Sequence, residues 1–407
     1  MMGKEISGST VKAKIAKAKA LGMHPTAYGA VYAASKPFFE KHPTWAFYNS
    51  CQEPFVFIDV FYIMNIAEGS PWRKHLFEEY QSAISMMGFS GIHMDTYGFP
   101  KTAYSHLDAI PKKIKLEDEL PTLIDETREN VHGEEEPYLI FNNVGAWPVQ
   151  RTADRKQDAV YIEVWPPYDR YASIAQLIRD ARTYAKDDKS TILAAYLKPF
   201  REGKREKALP AAKLLMGSIV SNGATHLLTG ENQTALTQGY YSDYTKFSDS
   251  EAEAIRRYYD YMIRYENLFF DPELQDVTMT HTGWDNYEYQ CTNHKVSSYG
   301  EAGKIWMILR EKDYRKCIYL LNLCGQSEDY WNEGKEEPNI QKDIKFTVQV
   351  DTPVEKICFS TPDGENMDAI ELSFTERATK TGKFIDFTVP SLNYWTTIWI
   401  DTRKETI

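Results

Sequence analysis

The chain has 407 residues, which is long enough for two domains that each have a sizeable core. Hydrophobic residues make up 43% and charged residues 26%, as in a soluble globular protein, and the formal net charge of −11 argues against nucleic acid or an anionic membrane as a partner. Five scattered cysteines form no CxxC or Cys/His cluster, so neither a disulfide framework nor a zinc site is indicated. No stretch approaches the length of a transmembrane helix, and residues 1–8 do not form a signal peptide.

Apolar runs and helical patterns alternate along the first two thirds of the chain. Short apolar runs predict strands near residues 25, 56, 91, 138, 159, 191 and 225. Helical periodicity predicts helices mostly between them, over residues 9–21, 71–87, 117–131, 171–185, 210–220 and 250–268. Alternating strands and helices indicate an α/β fold with a parallel sheet covered on both faces. Seven such strands match a TIM-type (β/α)8 barrel without its first strand, and an open doubly wound sheet is the alternative architecture.

The pattern changes after residue 272. Short alternating strands are predicted near residues 304–309, 317–321, 346–350, 356–359, 384–389 and 394–399, with a turn at 360–364. This pattern is typical of an antiparallel β-sandwich. We therefore expect a barrel domain over residues 1–272 and a C-terminal β-sandwich over residues 273–407.

Two of the predicted strands end on a carboxylate that has an aromatic residue close by. Residues 91–95 end on Asp95, and residues 159–163 end on Glu163. In a barrel the C-terminal strand ends meet at one mouth, where two carboxylates can serve as nucleophile and general acid/base of a glycosidase. An acidic residue that ends a strand and caps the next helix is the alternative interpretation of each motif taken alone. The separation by two strands is compatible with the roughly 5 to 5.5 Å of a retaining pair.

Further residues at these strand ends are candidates for substrate binding. His93 shares a strand face with Asp95, although a packed histidine is the alternative, and Asn142 and Asn143 follow the next strand or form its turn. Aromatic side chains near the mouth could stack on sugar rings or pack under loops: Tyr97, Trp147, Trp165, Tyr168, Tyr240 and Tyr241. The full set of predicted substrate-binding residues is Tyr28, His93, Tyr97, Asn142, Asn143, Trp165, Glu231 and Asn232.

Several of these segments resemble glycoside hydrolase family 66, the dextranases and cycloisomaltooligosaccharide glucanotransferases. The resembling segments are residues 88–98, 160–165, 226–244 and 389–395. The resemblance implies a (β/α)8 catalytic domain between two β-sandwiches, with Asp95 as the nucleophile on strand four and Glu163 as the acid/base on strand six. It implies endo-hydrolysis of α-1,6-glucan with net retention, which requires a raised pKa of Glu163. No metal or organic cofactor is implied.

Two other functions remain open beside the dextranase. Cyclising members of the family usually carry an inserted carbohydrate-binding domain, and no interval here is long enough to hold one. A cyclising transglycosylase on α-1,6-glucan is the enzyme alternative, and a non-catalytic carbohydrate-binding remnant is the other. The expected partner is an α-glucan polysaccharide or oligosaccharide. The protein is expected to be a monomer, and the resemblance places it outside the cell, in the periplasm or at the cell surface.

The sequence departs from the family at its beginning. The N-terminal sandwich and the first barrel strand of the family have no counterpart, because the chain begins at the helix before the second strand. A barrel without one strand exposes two sheet edges and part of its core. We therefore expect a truncated form or a late-starting reading frame, with low stability or activity in isolation.

Overall fold

The computed structural model describes residues 7–186, 189–239, 245–283 and 286–403. The chain divides into two compact units, Met1–Glu163 with Ala181–Thr191, and Val164–Asp180 with Ile192–Ile407. The helix Tyr171–Tyr184 and the strand Ser190–Ala194 each contribute residues to both units. The predicted domain boundary at residue 272 lies inside the second unit and stays a prediction.

Four adjacent parallel strands form the sheet of the first unit. In spatial order they are the Tyr28 strand (Thr26–Ala30), the Asp95 strand (Gly91–Asp95), the Asn142 strand (Tyr138–Val144) and the Glu163 strand (Ala159–Glu163). The register places Tyr28 opposite His93, Ala30 opposite Asp95, and Tyr161 opposite Asn142. Because the strands are parallel, their C-terminal ends lie at one edge, which brings the two predicted carboxylates to the same side.

Of the five helices described in the first unit, three begin close to where the sequence predicts them, and the two short ones at residues 36 and 149 are not predicted by it. The five are Gly8–Ala20, Lys36–Lys41, Pro71–Ser82, Leu116–Asn130 and Val149–Thr152. Ser70 caps the third helix by accepting from the N–H of Arg73 at 3.1 Å, and Pro71 occupies the first helical position. That helix continues as a π-turn, Ala83–Met87, and ends at Gly88, whose φ of 86° suits glycine.

The helix Pro71–Ser82 anchors the end of the Tyr28 strand. The Tyr80 hydroxyl donates to the carbonyl of Gly29 at 3.0 Å, and the indole of Trp72 donates to the carbonyl of Val31 at 2.9 Å. A Cβ atom at position 29 would lie 2.4 Å from the Tyr80 ring, so this contact needs glycine. The helix therefore fixes the position of the strand that carries Tyr28.

The predicted parallel strand near residue 56 is wrong. Val56–Phe57 pairs antiparallel with Phe61–Ile63, which in turn pairs with Ala33–Ala34 in a separate three-stranded sheet. Ile58 and Asp59 have φ angles of 49° and 58°, so the chain folds back in a tight hairpin. An apolar run of this length looks like a buried parallel strand, and the sequence contains no glycine to mark the turn.

The segment 99–115, which the sequence predicts as a loop, also contains a hairpin. Its strands are Thr102–Ser105 and Lys112–Lys115, and the first of them pairs with Phe47–Tyr48. The lysines of the second strand are typical of a solvated loop, although Ile114 between them is buried in the structure. The lysine-rich outer strand is typical of a protected sheet edge.

Six of the seven predicted strands are present, since Ser190–Ala194 and Ala224–His226 follow those of the first unit. In the second unit the N–H of Val164 donates to the carbonyl of Ala194 at 3.1 Å, and that of Leu227 to the carbonyl of Leu193 at 3.0 Å. The alternation with the helices Tyr171–Tyr184 and Ala208–Ser221 confirms the α/β class. Closure into an eight-stranded barrel is not established by these strands and stays a prediction.

The second unit also contains the predicted antiparallel sheets. One sheet has the order Gln275–Asp276, Ile305–Lys312, Arg315–Asn322, Trp395–Thr402, Val354–Ser360 and Ile370–Leu372, with Val296–Ser297 beside the second of these strands. The other has the order Tyr289–Cys291, Gln341–Val350, Gly382–Leu392 and Phe374–Thr379. Alternate residues of both sheets, among them Leu320, Phe346 and Ile398, share one apolar core.

The remaining helices of the second unit are Asp249–Arg264, Glu266–Phe269 and Thr278–His281. Ser248 and Glu251 form a capping box at the start of the first of them. A short hairpin, Thr229–Gly230 with Thr234–Ala235, follows the strand Ala224–His226. None of the helices in the described ranges is long and apolar enough to cross a membrane.

Candidate active site

Asp95 lies at the C-terminal end of its strand and accepts hydrogen bonds from both neighbouring strands. The Tyr28 hydroxyl donates to Oδ2 at 2.5 Å, and the Asn142 amide nitrogen donates to Oδ1 at 2.7 Å. The side chain is therefore held between two donors. Asp95 is only 9% exposed. Two donors on two different oxygens fix the plane of the carboxylate.

Glu163 lies next to Asp95 and contacts the same asparagine, Asn142. The Asn142 amide nitrogen also donates to Oε2 of Glu163, at 3.2 Å, and Glu163 is 7% exposed. The Asp95 and Glu163 oxygens bonded to this one nitrogen are thus separated by no more than the sum of the two distances. That limit is compatible with the roughly 5 to 5.5 Å between the carboxyl groups of a retaining glycosidase pair.

Burial and hydrogen bonding act on Asp95 in opposite directions. Burial raises the pKa of Asp95, while the Tyr28 hydroxyl, the Asn142 amide and the backbone N–H of Thr96 favour the charged carboxylate. The pKa of the Tyr28 hydroxyl is raised by burial of its polar end and by the negative charge of Asp95. Tyr28 therefore keeps its proton and remains a donor to Asp95 at neutral pH.

His93 lies between two tyrosine rings. Its imidazole lies edge-on to Tyr161, with centroids 4.7 Å apart, and is stacked with Tyr28 at 6.3 Å. Burial lowers the pKa of His93 to about 4, so the ring is neutral at neutral pH. This position combines the two interpretations of the sequence, since the ring is packed and also borders the Tyr28 side chain that contacts Asp95.

Asn143 is not brought to the carboxylates. Its amide nitrogen donates to the carbonyl of Tyr161 at 2.9 Å, and its oxygen accepts from the Thr152 hydroxyl at 2.6 Å. Successive side chains of a strand point to opposite faces, so Asn142 and Asn143 cannot both face Asp95. Asn143 therefore ties the Asn142 strand to the Glu163 strand and to the helix Val149–Thr152.

The aromatic candidates of the first unit are in packed positions. Tyr97 stacks on Phe57 with centroids 4.1 Å apart, and its backbone N–H donates to the Tyr32 hydroxyl at 2.5 Å. The ammonium of Lys101 lies 3.5 Å above the Trp147 ring and covers that face. Both rings thus have at least one side occupied by protein.

Trp165, Glu231 and Asn232 belong to the second unit. The Trp165 ring neighbours that of Tyr196, with centroids 6.2 Å apart. Glu231 and Asn232 form the turn of the hairpin that begins at Thr229, where Asn232 has a φ of 58° and the Glu231 carbonyl accepts from the Thr234 hydroxyl at 2.7 Å. Tyr240 and Tyr241 lie outside the described residues.

Tyr32 is a contact near Asp95 that the sequence does not single out. It is fully buried, its hydroxyl accepts from the N–H of Tyr97, and burial raises its pKa. Tyr32 follows the end of the Tyr28 strand by two residues, and an aromatic side chain so close to that end is the signal that could have identified it. Within the described ranges, no three His, Cys, Asp or Glu side chains form a group that could hold a metal ion.

Comparisons with known proteins find related sequences. Residues 1–399 match the sequence profile of Glycosyl hydrolase family 66. Two proteins of Niallia circulans, both named cycloisomaltooligosaccharide glucanotransferase, are 28% identical over 193 residues and 27% identical over 191 residues. These alignments cover 47% and 46% of this chain but 19% of each relative, so the match spans about a fifth of those proteins.

Solved structures show the same fold. A Paenibacillus cycloisomaltooligosaccharide glucanotransferase, complexed with cycloisomaltoheptaose, superposes with a TM-score of 0.87 at 17% identity and covers 98% of this chain and 76% of that one. An α-amylase of Geobacillus thermoleovorans, complexed with acarbose, gives a TM-score of 0.56 at 10% identity, over 98% of this chain and 82% of that one. Because the family match extends over nearly the whole sequence, the chain belongs to glycosyl hydrolase family 66.

Proposed function

We propose that the chain is a retaining glycoside hydrolase that cleaves α-1,6-glucosidic linkages within dextran. Asp95 is the nucleophile and Glu163 the general acid/base. The contact that supports this most directly is the Asn142 amide, which donates to both carboxyl groups at 2.7 and 3.2 Å. Family membership supports the reaction class, and the names of the relatives, which refer to cyclic isomaltooligosaccharides, support an α-1,6-glucan as the substrate.

In the first step an oxygen of Asp95 attacks the anomeric carbon while the glycosidic bond breaks. Glu163 gives its proton to the leaving oxygen, and a glycosyl ester of Asp95 forms. In the second step a water oxygen attacks the same carbon, Glu163 takes a proton from that water, and the ester bond to Asp95 breaks. Two displacements on one carbon retain its configuration.

The hydrogen bonds suit Asp95 to the role of nucleophile. Tyr28 and Asn142 each donate to one of its oxygens, which stabilises the carboxylate that must be charged before attack. Each oxygen can accept a second contact, so the donors orient the group without occupying all of its lone pairs. Both donors also remain in place for the carboxylate that leaves in the second step.

A cyclising or chain-transferring glucanotransferase is the second candidate. It uses the same glycosyl ester, but a sugar hydroxyl replaces water in the second step. The names of both Niallia relatives and of the Paenibacillus enzyme favour it. The absence from the sequence of an interval long enough for an inserted carbohydrate-binding domain favours hydrolysis instead.

A dextran digest resolved by chain length distinguishes these candidates. Short linear isomaltooligosaccharides are the expected products of an endo-hydrolase, whereas cyclic or elongated glucans would identify the transferase. If the parent chain binds dextran without turnover, and the Asp95→Asn and Glu163→Gln variants bind it equally well, the chain is a carbohydrate-binding remnant and the enzymatic proposal fails.

Variants of the two carboxyl groups test their roles. Asp95→Asn should lower the rate on dextran by at least about 10³-fold, because the nucleophile is lost. Glu163→Gln should lower it by about 10²- to 10⁴-fold, because the leaving oxygen is no longer protonated.

A leaving group that needs no protonation separates the two roles. With α-isomaltosyl fluoride as the substrate, Glu163→Gln should still release fluoride and accumulate the glycosyl ester of Asp95. Asp95→Asn should do neither. Asp108→Asn, at an exposed loop position of the same unit, is the matched control and should keep the parent rate. Equal losses on dextran and on the fluoride in both variants would contradict the assignment.

A further inference from the structure

We propose that Asn142 is a positioning residue that holds one oxygen of each catalytic carboxyl group and thereby orients both groups. Because this rests on the proposed function, Asn142 acts through Asp95 and Glu163 and does not itself contact the reacting carbon. Its strand lies between the Asp95 strand and the Glu163 strand, so its side chain is the direct link between the two groups. One amide nitrogen has two hydrogens, and here each is directed to a different carboxyl group.

The orientation of the Asn142 amide is determined by its partners. Both partners are carboxyl oxygens, which accept hydrogen bonds, so the flipped amide would place its carbonyl oxygen against two acceptors. In the orientation present, the Asn142 oxygen is buried and accepts no hydrogen bond within the described residues. A buried acceptor without a donor is unfavourable, so the amide keeps this orientation for the contacts of its nitrogen.

These contacts distinguish the oxygens of each carboxyl group. Oε2 of Glu163 accepts from Asn142, so in the protonated form the proton resides on Oε1, which is the oxygen that can pass it to the leaving group. Oδ1 of Asp95 accepts from Asn142, and Oδ2 accepts from Tyr28. Asn142 thus holds Oε2 of Glu163 and Oδ1 of Asp95 at a single nitrogen.

Asn142 also links the charges of the two groups during the reaction. Before attack Asp95 is charged and Glu163 is protonated, so the nitrogen interacts most strongly with Asp95. When Asp95 becomes an ester its charge disappears, and the same nitrogen then stabilises the Glu163 carboxylate that must accept a proton from water. No atom of Asn142 is transferred, and its two hydrogen bonds only change in relative strength.

Four titratable side chains beside the pair add no charge at neutral pH. Tyr28, Tyr32 and Tyr80 interact with the charge of Asp95, and His93 stacks with Tyr28. Burial raises the pKa of Tyr28, Tyr32 and Tyr80 and lowers that of His93 to about 4. At neutral pH these four groups are uncharged, so the hydrogen bonds from Asn142 should have a measurable effect on both carboxyl groups.

The test is Asn142→Ala, followed by the pH dependence of dextran cleavage. Loss of a donor to each carboxylate should move both limbs of the profile to higher pH by about one unit, because each carboxyl group then holds its proton more tightly. We expect kcat to fall about 10- to 100-fold with KM changed less than about threefold. A merely structural role would lower the amount of folded enzyme without moving either limb.

Direct titration separates this proposal from the proposed function. Carbon-13 NMR of labelled carboxyl groups in the full chain, assigned with Asp95→Asn and Glu163→Gln, reports both pKa values without turnover. Raised values in Asn142→Ala, together with an inactive parent, would support the positioning role and reject the glycosidase. Unchanged values and unmoved limbs in an active enzyme would overturn the positioning role.

Two further variants complete the experiment. Aspartate has nearly the same shape as asparagine, so Asn142→Asp should fold even if the alanine variant does not. Its negative charge should raise the pKa of both carboxyl groups further, which the same titration measures. Asn143→Ala is the matched control, because Asn143 lies on the opposite face and bonds to Tyr161 and Thr152. It should lower stability and leave both limbs in place, and a shift equal to that of Asn142→Ala would contradict the proposal.

Discussion

At the scale of single residues, Tyr28 is the donor to Asp95 that substitution can test with least damage to the core. Its hydroxyl contacts Oδ2 of Asp95 while its side chain is 66% exposed. Tyr28→Phe should lower kcat about 10- to 100-fold, which corresponds to the roughly 1.5 to 3 kcal/mol of a hydrogen bond to a charged group. The acidic limb of the pH profile should move upward, because the Asp95 carboxylate loses a stabilising donor. Steady-state kinetics between pH 4 and 8 measures both effects.

Tyr138→Phe is the control for this variant. Tyr138 lies at the opposite end of the Asn142 strand, where its ring neighbours His24 with centroids 4.6 Å apart. Both substitutions remove one hydroxyl from a tyrosine in the first unit, but only Tyr28 contacts a carboxyl group of the pair. Equal kinetic effects of the two variants, or an acidic limb that stays in place in Tyr28→Phe, would contradict the role assigned to Tyr28.

The sequence indicates the two carboxyl groups that Asn142 contacts, but it does not separate the two neighbouring asparagines. An acidic residue at the end of an apolar run is a local feature, and Asp95 and Glu163 were found from it. The face on which Asn142 or Asn143 lies depends on the parity of the strand, and a shift of one residue exchanges them. Tyr28 as a donor to Asp95 depends on which strands are neighbours, which no local pattern reveals.

At the scale of elements, the pairing of the Asp95 strand with the Asn142 strand depends on a glycine. A Cβ atom at position 91 would lie 2.0 Å from the carbonyl oxygen of Tyr138, which no side chain can tolerate without movement of backbone. Gly91→Ala should therefore lower the free energy of unfolding by about 2 to 4 kcal/mol. It should also displace the strand that carries Asp95 and reduce activity. Urea denaturation and the rate on dextran measure the two effects.

Gly8→Ala is a suitable comparison for this variant. A Cβ atom at position 8 would meet only the end of the flexible Met87 side chain, at 4.0 Å, and the residue lies at the beginning of a helix. That substitution should change stability by less than about 1 kcal/mol. If Gly91→Ala were no more destabilising than Gly8→Ala, close packing of the two strands would not be what requires glycine at position 91.

Helices were better predicted than short antiparallel strands, for a physical reason. Helix signals are local, as Ser70 and Pro71 at the start and Gly88 at the end show. The hairpin of Val56–Phe57 and Phe61–Ile63 has no such signal, because its turn uses Ile58 and Asp59 in left-handed conformations that these residues rarely adopt. Such a turn is stabilised by packing of the folded chain and therefore cannot be read from composition.

At the scale of the whole molecule, the sequence predicts which segments form parallel and which form antiparallel strands, but it does not predict closure of the parallel sheet. Alternation of helices with apolar runs predicts parallel strands, and period-two patterns after residue 272 predict the antiparallel sheets that the second unit contains. Closure of a barrel depends on strand number, tilt and stagger, which are properties of pairings between distant segments. The run near residue 56 is not a parallel strand, so six of the seven predicted strands remain. The barrel prediction depends on that count and is therefore sensitive to a single wrong assignment.

The stability of the molecule should depend on two histidines, the half-buried His93 in the first unit and the buried His226 in the second. Burial lowers the pKa of His93 and of His226 to about 4, whereas histidine in the unfolded chain titrates near 6.5. Between these values the unfolded chain binds more protons than the folded chain, so the free energy of unfolding rises with pH. Each histidine should therefore cost about 2 kcal/mol of stability when the pH falls from 7 to 5.

His226→Gln isolates one of these contributions. The Nε2 atom of His226 lies 2.9 Å from the carbonyl of Ala195, and a glutamine amide can donate to the same oxygen without titrating. Asp95 and Asp363 oppose the histidines, because burial raises the pKa of each and the folded chain then holds their protons more tightly. That opposition is common to parent and variant, so the difference between their pH slopes belongs to His226. Urea denaturation at pH 5 and 7 should show a shallower slope in the variant, and parallel slopes would mean that His226 does not titrate differently in the folded and unfolded chains.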